Sequence, residues 1–403
     1  LAGDAVALAA LLPARLGSGR SRDGVVVASS RNDARRADSP MRAPEELCQA
    51  VAAGLPGGPQ PPPDGWPLTA EILRTSRLHR VQGLVWRAVE NGTLRADRAM
   101  TDDARHQWQE GLRASLAVEE AAVQALRSFA ANGIETRALK GLALAHLDHV
   151  DPAERIFNDV DLLVRRGDHD RAVSGLIDAG FKRAEPAVHN WWERRFGKAV
   201  VLLSSNGREL HLHLRITGGY FGEQIIHDDL WSRASKPFEL GGVAVRGLDR
   251  EDRLLHACCH VLLGGWSGLR AEHDVAQLVL VSAADWTAVV QRAERDGIDL
   301  VVAEALRATW TDLQLDRSHP AICWADDHRE DLKQTEALAS YQSAMRRGTW
   351  GSEGLGMLGA LSVLNRARFL VGLAWPSTAS LNHQQRSRRD HLRQSVGLFR
   401  GSR

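Results

Sequence analysis

The run Asn158-Asp159-Val160-Asp161-Leu162-Leu163-Val164 constrains this chain more than any other stretch. Side chains alternate faces along a β-strand, so Asp159 and Asp161 project together while Val160 and Leu162 turn inward. Two carboxylates held at one point repel, and a pair fixed on an apolar strand suggests divalent cations between them. The alternative makes one aspartate a cap or turn residue and leaves the other in solvent.

The surroundings bear on that choice. Residues 134–139 read as a short strand ending at Lys140-Gly141, residues 142–147 as a short helix, and a polar loop through Asp151-Pro152 returns to the paired aspartates. Arg208-Glu209-Leu210-His211-Leu212-His213-Leu214-Arg215 alternates polar with apolar residues, which puts Glu209, His211 and His213 on one face of a strand. Asn206-Gly207, following apolar residues 199–203, is a hairpin signature. Glu209 thus opens a strand able to pair beside the Asp-x-Asp strand and bring a third carboxylate. The arrangement requires Glu209 to face the two aspartates, with no ion pair filling the space among them.

At these residues the chain resembles the nucleotidyltransferase superfamily of DNA polymerase β and the small-molecule nucleotidyltransferases, and most closely an uncharacterised bacterial nucleotidyltransferase family. The resemblance rests on Leu139-Lys140-Gly141, Asp159-Val160-Asp161-Leu162-Leu163-Val164 and Glu209-Leu210-His211, in that order. It extends from about residue 66 to about residue 376. The departure is at Lys140-Gly141, where the wider superfamily carries a Gly-Ser turn, and in a longer gap to the carboxylates. The resemblance implies an α+β fold: a small mixed β-sheet core with helices on one face, flanked by N-terminal and C-terminal helical regions. It implies Mg-dependent transfer of a nucleoside monophosphate from an NTP, with ATP the expected donor, to a hydroxyl of an unknown small-molecule acceptor, with pyrophosphate released.

In that reading Asp159 and Asp161 hold two Mg²⁺ ions, and Glu209 completes the first metal site and serves as general base. Lys140, the backbone at Gly141 and Arg155 face the phosphates. Two other readings stay open: an AMPylating, antitoxin-like enzyme whose acceptor is a protein hydroxyl, and a degenerate nucleotide-binding protein without turnover, suggested by the missing Gly-Ser turn.

Composition sets outer bounds. A chain of 403 residues, 44% hydrophobic, supports a large core and two subdomains. Its 51 basic and 50 acidic residues leave a net charge of +1, so no global field holds a polyanion and nucleic acid is not the expected partner. Only five of the basic residues are lysines, which singles out Lys140, although a solvated loop lysine explains it too. Four cysteines without paired zinc spacing read as reduced thiols of a cytoplasmic protein. The apolar run at residues 5–12 is too short to span a bilayer and lacks a preceding basic segment, so neither a membrane helix nor a secretory signal is expected. Neither a Gly-x-Gly-x-x-Gly fingerprint nor a Walker loop occurs, which excludes dehydrogenase and kinase readings.

The expected divisions are a disordered extension and Pro-rich linker (1–63), with the biological start near Met41, an N-terminal helical region (64–133), the catalytic core (134–248), a C-terminal helical region (249–376) and a polar basic tail (377–403). Residues 68–91 and 102–132 each read as one helix, the second presenting Leu112, Leu116, Val123, Leu126 and Ala130 on one face. Asp168 is expected to cap a helix over 169–179 that stops at Gly180. Trp191 and Trp192, among arginines, form either a base-stacking lip or a core anchor with a wet rim. His256 and His260 stand four apart on a helix, but Ala257 holds the place of the metalloprotease glutamate, so zinc is not expected. Asp274 either orients a histidine or meets the acceptor, and a hydrogen-bonded structural role is preferred for all three. Residues 286–357 and 361–373 read as helical without identifiable chemistry.

Overall fold

Period-2 hydrophobicity builds the centre of the molecule. Strands β1 (Thr136–Ala138), β2 (Asp159–Val164), β3 (Lys182–Arg183), β4 (Ala199–Leu203) and β5 (Glu209–His213) form one sheet in the order β1-β2-β5-β4-β3. β2 and β5 run parallel and the other neighbours antiparallel, so the sheet is small and mixed, as expected. β4 and β5 make the anticipated hairpin at Asn206-Gly207, where Gly207 takes the left-handed φ of 77° that the turn requires. The computed structural model describes residues 43–264, 268–329, 331–346, 358, 361–383 and 387. The expected disorder of residues 1–40 and the basic stretch at 384–390, Ser387 apart, lie outside the described residues.

Helices α1 (Glu45–Ala52), α2 (Ala70–His79), α3 (Gln82–Glu90) and α4 (Arg98–Ala131) precede the sheet. Interleaved with it are α5 (Lys140–Leu147), α6 (His169–Asp178) and α7 (Asn190–Phe196), and beyond it come α8 (Arg250–Leu263), α9 (Leu269–Leu280), α10 (Trp286–Arg295) and α11 (Asp299–Asp312). One face of the sheet is a dry core: Val160, Leu162, Leu210, Leu212, Val200 and Leu202 pack against Val118, Ala122 and Phe129 of α4, Leu142 of α5 and Leu176 of α6. Burying each large side chain stabilises the fold by about 1.5–3 kcal/mol.

Several expectations are corrected here. The segment 1–63, expected to be extension and linker, contains α1, with Leu47, Val51 and Ala52 fully buried. The single helix expected over 68–91 breaks in two at Arg80, which ends α2 in the left-handed region at φ 56°. α4 buries the expected Leu126, with Val123 packed against the same core, together with Gly111, Ser115, Val118, Ala122, Ala125 and Phe129, while Leu116 is 54% exposed and Ala130 faces solvent. Its inward face is therefore lined with small residues, which let the helix approach the sheet closely. Asp168 does not cap α6; it ends a 3₁₀ turn and accepts from Arg171 at 2.6 Å. Trp192 packs on Phe196 and Phe369 in a small core of its own, and Arg183, Arg194 and Arg195 pair with Glu193, Asp170 and Glu223.

The N-terminal and C-terminal helical regions share a single core. Leu47, Ile72 and Leu84 from the first lie in one cluster with Leu254, Val275, Val301 and Leu306 from the second. Two buried ion pairs fasten this body to the sheet: Arg253 with Asp148 (2.8 and 2.9 Å) and Arg155 with Asp274 (2.8 and 2.6 Å). No disulfide joins the cysteines, and among the described residues no helix is long and apolar enough to cross a membrane.

Candidate active site

The loop entering β2 is gripped from three sides. A Cβ on Gly83 would collide with the Glu154 carbonyl, one on Gly111 would lie 3.1 Å from Ile156 Cγ2, and one on Gly141 would lie 2.7 Å from Phe157 Cβ. Ser115 of α4 completes the clamp, donating through Oγ to the Phe157 carbonyl (3.0 Å) and accepting from the Phe157 N–H (2.9 Å). Asp159 is thereby delivered to the sheet from a fixed position two residues upstream.

Register does the rest. In the parallel β2–β5 pair, Asp159 stands opposite Glu209, Asp161 opposite His211, and Leu163 opposite His213. Asp159, Asp161, Glu209, His211 and His213 therefore share the face turned away from the dry core. Exposure grades along it: the side chains of Glu209, Asp159 and Asp161 are 57%, 30% and 2% accessible.

Asp161 is the focus. Lys140 Nζ lies 3.0 Å from its Oδ1, and His213 Nε2 2.6 Å and His211 Nδ1 3.5 Å from the same oxygen. Burial alone would raise the Asp161 pKa, but the Lys140 charge and the two histidine contacts hold it well below the usual carboxylate range. His211 bridges the row: its Nδ1 also lies 4.0 Å from Asp159 Oδ2, and its Nε2 3.4 Å from Glu209 Oε2. Burial opposes protonation of His211, yet its hydrogen bond to Asp161 and the charges of Asp161 and Asp159 raise its pKa overall. The space among the carboxylates is thus filled by a histidine and edged by an ion pair, contrary to the open gap the sequence reading required.

His213 carries an unresolved proton count. Burial drives its pKa down to about 4, so near neutrality the ring bears one proton. Two acceptors face that ring, Arg215 O at 3.1 Å and Asp161 Oδ1 at 2.6 Å, and one of the contacts therefore lacks its proton. Were a metal bound, His213 would be among its holders, with the Arg215 carbonyl orienting the ring through Nδ1. One ligand atom from each of Asp161, His211 and His213 falls within 4.8 Å of the others. This donor set, with Asp159 and Glu209 beside it, fits a divalent metal.

The family model for uncharacterised nucleotidyltransferases matches residues 69–310, more than half of the chain. The chain belongs to that family. It is accordingly a nucleotidyltransferase, a transferase of phosphorus-containing groups on an α+β fold. No curated protein matches it.

The nucleotidyltransferase departs from expectation at other positions. Arg155, expected to face phosphate, donates from Nε and Nη2 to Asp274 deep in the protein, which gives Asp274 the hydrogen-bonded structural role preferred for it. Gly141 is accounted for by its contact with Phe157. His256 is buried and His260 partly so, and desolvation, then the Lys140 charge, pushes both pKa values far down, so they stay neutral. Lys140 adopts a left-handed φ of 41°, a strained conformation for a residue with a Cβ, which the turn into α5 imposes. Sequence reasoning put His211 and His213 on the polar face without giving them a role; the strict alternation of Glu209-Leu210-His211-Leu212-His213 was the available signal.

Proposed function

We propose that this nucleotidyltransferase moves a nucleoside monophosphate from an NTP, ATP by expectation, to a hydroxyl of a small-molecule acceptor, releasing pyrophosphate. The observation that carries the proposal is the register that sets Asp159 beside Glu209 and Asp161 one step along the same face. Asp159, Asp161 and Glu209 would hold two Mg²⁺ ions, as in the polymerase β-like superfamily that the motifs resemble. When bound, such ions neutralise charge on both the attacking and the leaving oxygen. Glu209, the most exposed of the three, takes the acceptor's hydroxyl proton. Lys140 keeps Asp161 ionised and adds positive charge beside the reacting phosphate. The reduced thiols accord with a cytoplasmic enzyme.

Two imidazoles at Asp161 bring nitrogen into the donor set, and nitrogen ligands favour Mn²⁺ over Mg²⁺. Mn²⁺ is therefore expected to support transfer at least as well as Mg²⁺ in a metal titration of the chelator-treated enzyme. A second reading, nucleotide binding without turnover, draws on the Lys140–Asp161 ion pair and on His211 filling the space among the carboxylates.

The test is incubation of the enzyme, Mg²⁺ or Mn²⁺ and α-labelled ATP with a cell lysate. A labelled small molecule with pyrophosphate release is the expected result. A labelled protein band would move the acceptor to a protein hydroxyl, and binding without either product would select the non-catalytic reading.

A further inference from the structure

The two histidines of the row are oriented alike. Each turns one ring nitrogen to Asp161 and the other to a group that can only accept a proton. His213 Nδ1 donates to the Arg215 carbonyl at 3.1 Å, and its Nε2 lies 2.6 Å from Asp161 Oδ1. His211 Nε2 donates to Glu209 Oε2 at 3.4 Å, and its Nδ1 lies 3.5 Å from the same Asp161 oxygen. In a neutral ring these far contacts take the single proton, so the nitrogen facing Asp161 keeps its lone pair in both residues.

Two imidazole lone pairs and a carboxylate oxygen thus converge, and their ligand atoms lie within 4.8 Å of one another. The far contacts are those that ligating histidines make, since a carboxylate or a carbonyl on the second nitrogen fixes tautomer and ring orientation together. Asp161 and His213 are almost fully buried while His211 is partly exposed, so an ion among them would be screened from bulk water on the Asp161 side. Lys140 Nζ, 3.0 Å from the same oxygen, would compete with it.

We infer that Asp161, His211 and His213 form a binding site for a first-row transition-metal ion, chemically distinct from the Asp159–Glu209 pair beside it. The inference rests on the metal-dependent nucleotidyl-transfer reading proposed above and deepens it, by separating a nitrogen-liganded inner ion from an oxygen-liganded outer one. Two imidazoles and one carboxylate are the donors of catalytic zinc sites and of open-sided iron sites. Mg²⁺ prefers oxygen and gives up its waters reluctantly. Asp159 and Glu209, opposite each other in register and both reached by water, offer it that setting. The inner ion is then the protein's own, and the outer one arrives with the triphosphate.

The test is a Co²⁺ titration of the chelator-treated full chain, followed by visible ligand-field absorption, with melting temperatures recorded for every variant. The wild type is expected to bind Co²⁺ in a form that excess Mg²⁺ does not displace and Zn²⁺ does. His211→Ala and His213→Gln should each weaken Co²⁺ by about 100-fold or more, and Glu209→Gln by about 10- to 100-fold through loss of the group that orients His211. Asp159→Asn should bind Co²⁺ as the wild type does. Lys140→Met, which removes the competing ammonium, should tighten binding by roughly tenfold. No Co²⁺ absorption in the wild type would leave the Lys140 ammonium as the cation these nitrogens face and overturn the site. Displacement by Mg²⁺, or unchanged binding in the folded histidine variants, would overturn it equally. If Mg-ATP still yields pyrophosphate in that case, the nucleotidyl-transfer reading stands without the inner ion. A Co²⁺ site in a protein that releases no pyrophosphate with any metal would keep the site and sink that reading instead.

Discussion

Asp161 and the pair Asp159–Glu209 sit on one face of one sheet, yet they live in different physical worlds. Asp161 is sealed beneath Lys140 and His213, its charge matched by protein groups before any ligand arrives. Asp159 is partly exposed and Glu209 exposed, and the ring of His211 lies beside them at 4.0 and 3.4 Å. The inner carboxylate is a structural charge as well as a functional one, whereas the outer two are free to serve chemistry alone. Substitutions at the two ends should therefore separate activity from stability.

The largest expected effect is on turnover. Asp159→Asn and Glu209→Gln should each lower pyrophosphate release by about a thousandfold or more, as loss of a metal-binding carboxylate requires, with melting temperatures close to wild type because both side chains are exposed enough to cost only about 0.5 kcal/mol. Normal turnover in either variant would remove that residue from the site. Asp161→Asn should match them in lost turnover but differ in stability. A bare carboxylate pair repels, and by that alone the change would spare the fold. The ion pair reverses that balance: neutralising Asp161 leaves the partly buried Lys140 charge without its carboxylate partner, at a cost of about 1–3 kcal/mol in urea unfolding. A melt as stable as wild type would show that the inner carboxylate is no more structural than the outer ones.

Next in size is Gly141→Ala. The added methyl meets Phe157 Cβ at 2.7 Å, and the overpacked clamp should lose about 1–3 kcal/mol and shift Asp159 along with Phe157. The smallest effect is in pH. The Asp161 pKa is depressed below its ordinary 3.8, so the stabilisation is present above that value and is lost as pH falls through the lower folded value. Unfolding free energies of wild type and Asp161→Asn should thus converge as pH falls below 3.8 toward the lower folded value, where a constant gap would contradict the ionised state of Asp161.

What the sequence disclosed divides along the same line. The outer features follow from local pattern: the Asp-x-Asp strand, the alternating Glu-Leu-His-Leu-His strand and the Asn-Gly hairpin all follow from period two and turn chemistry. The inner features are set at a distance. Arg155 belongs to Asp274, 119 residues away, and nothing near Arg155 in the chain announces that partner. Leu126 and Val123 were legible on α4, but the rest of its buried face escaped because close approach, rather than hydrophobicity, selected those residues, so Gly111, Ser115 and Ala122 carried no apolar periodicity to read. α1 escaped for a related reason: eight residues ahead of a proline-rich stretch gain their stability from the C-terminal helices they touch.

The core shared by the two helical regions bears on how this polypeptide is made. Leu47 and Ile72 find their places only after Leu254, Val275 and Val301 have left the ribosome, a loop of some two hundred residues to close. The emerging N-terminal helices are therefore expected to wait, partly unburied and in need of chaperone protection, until the second half of the chain arrives.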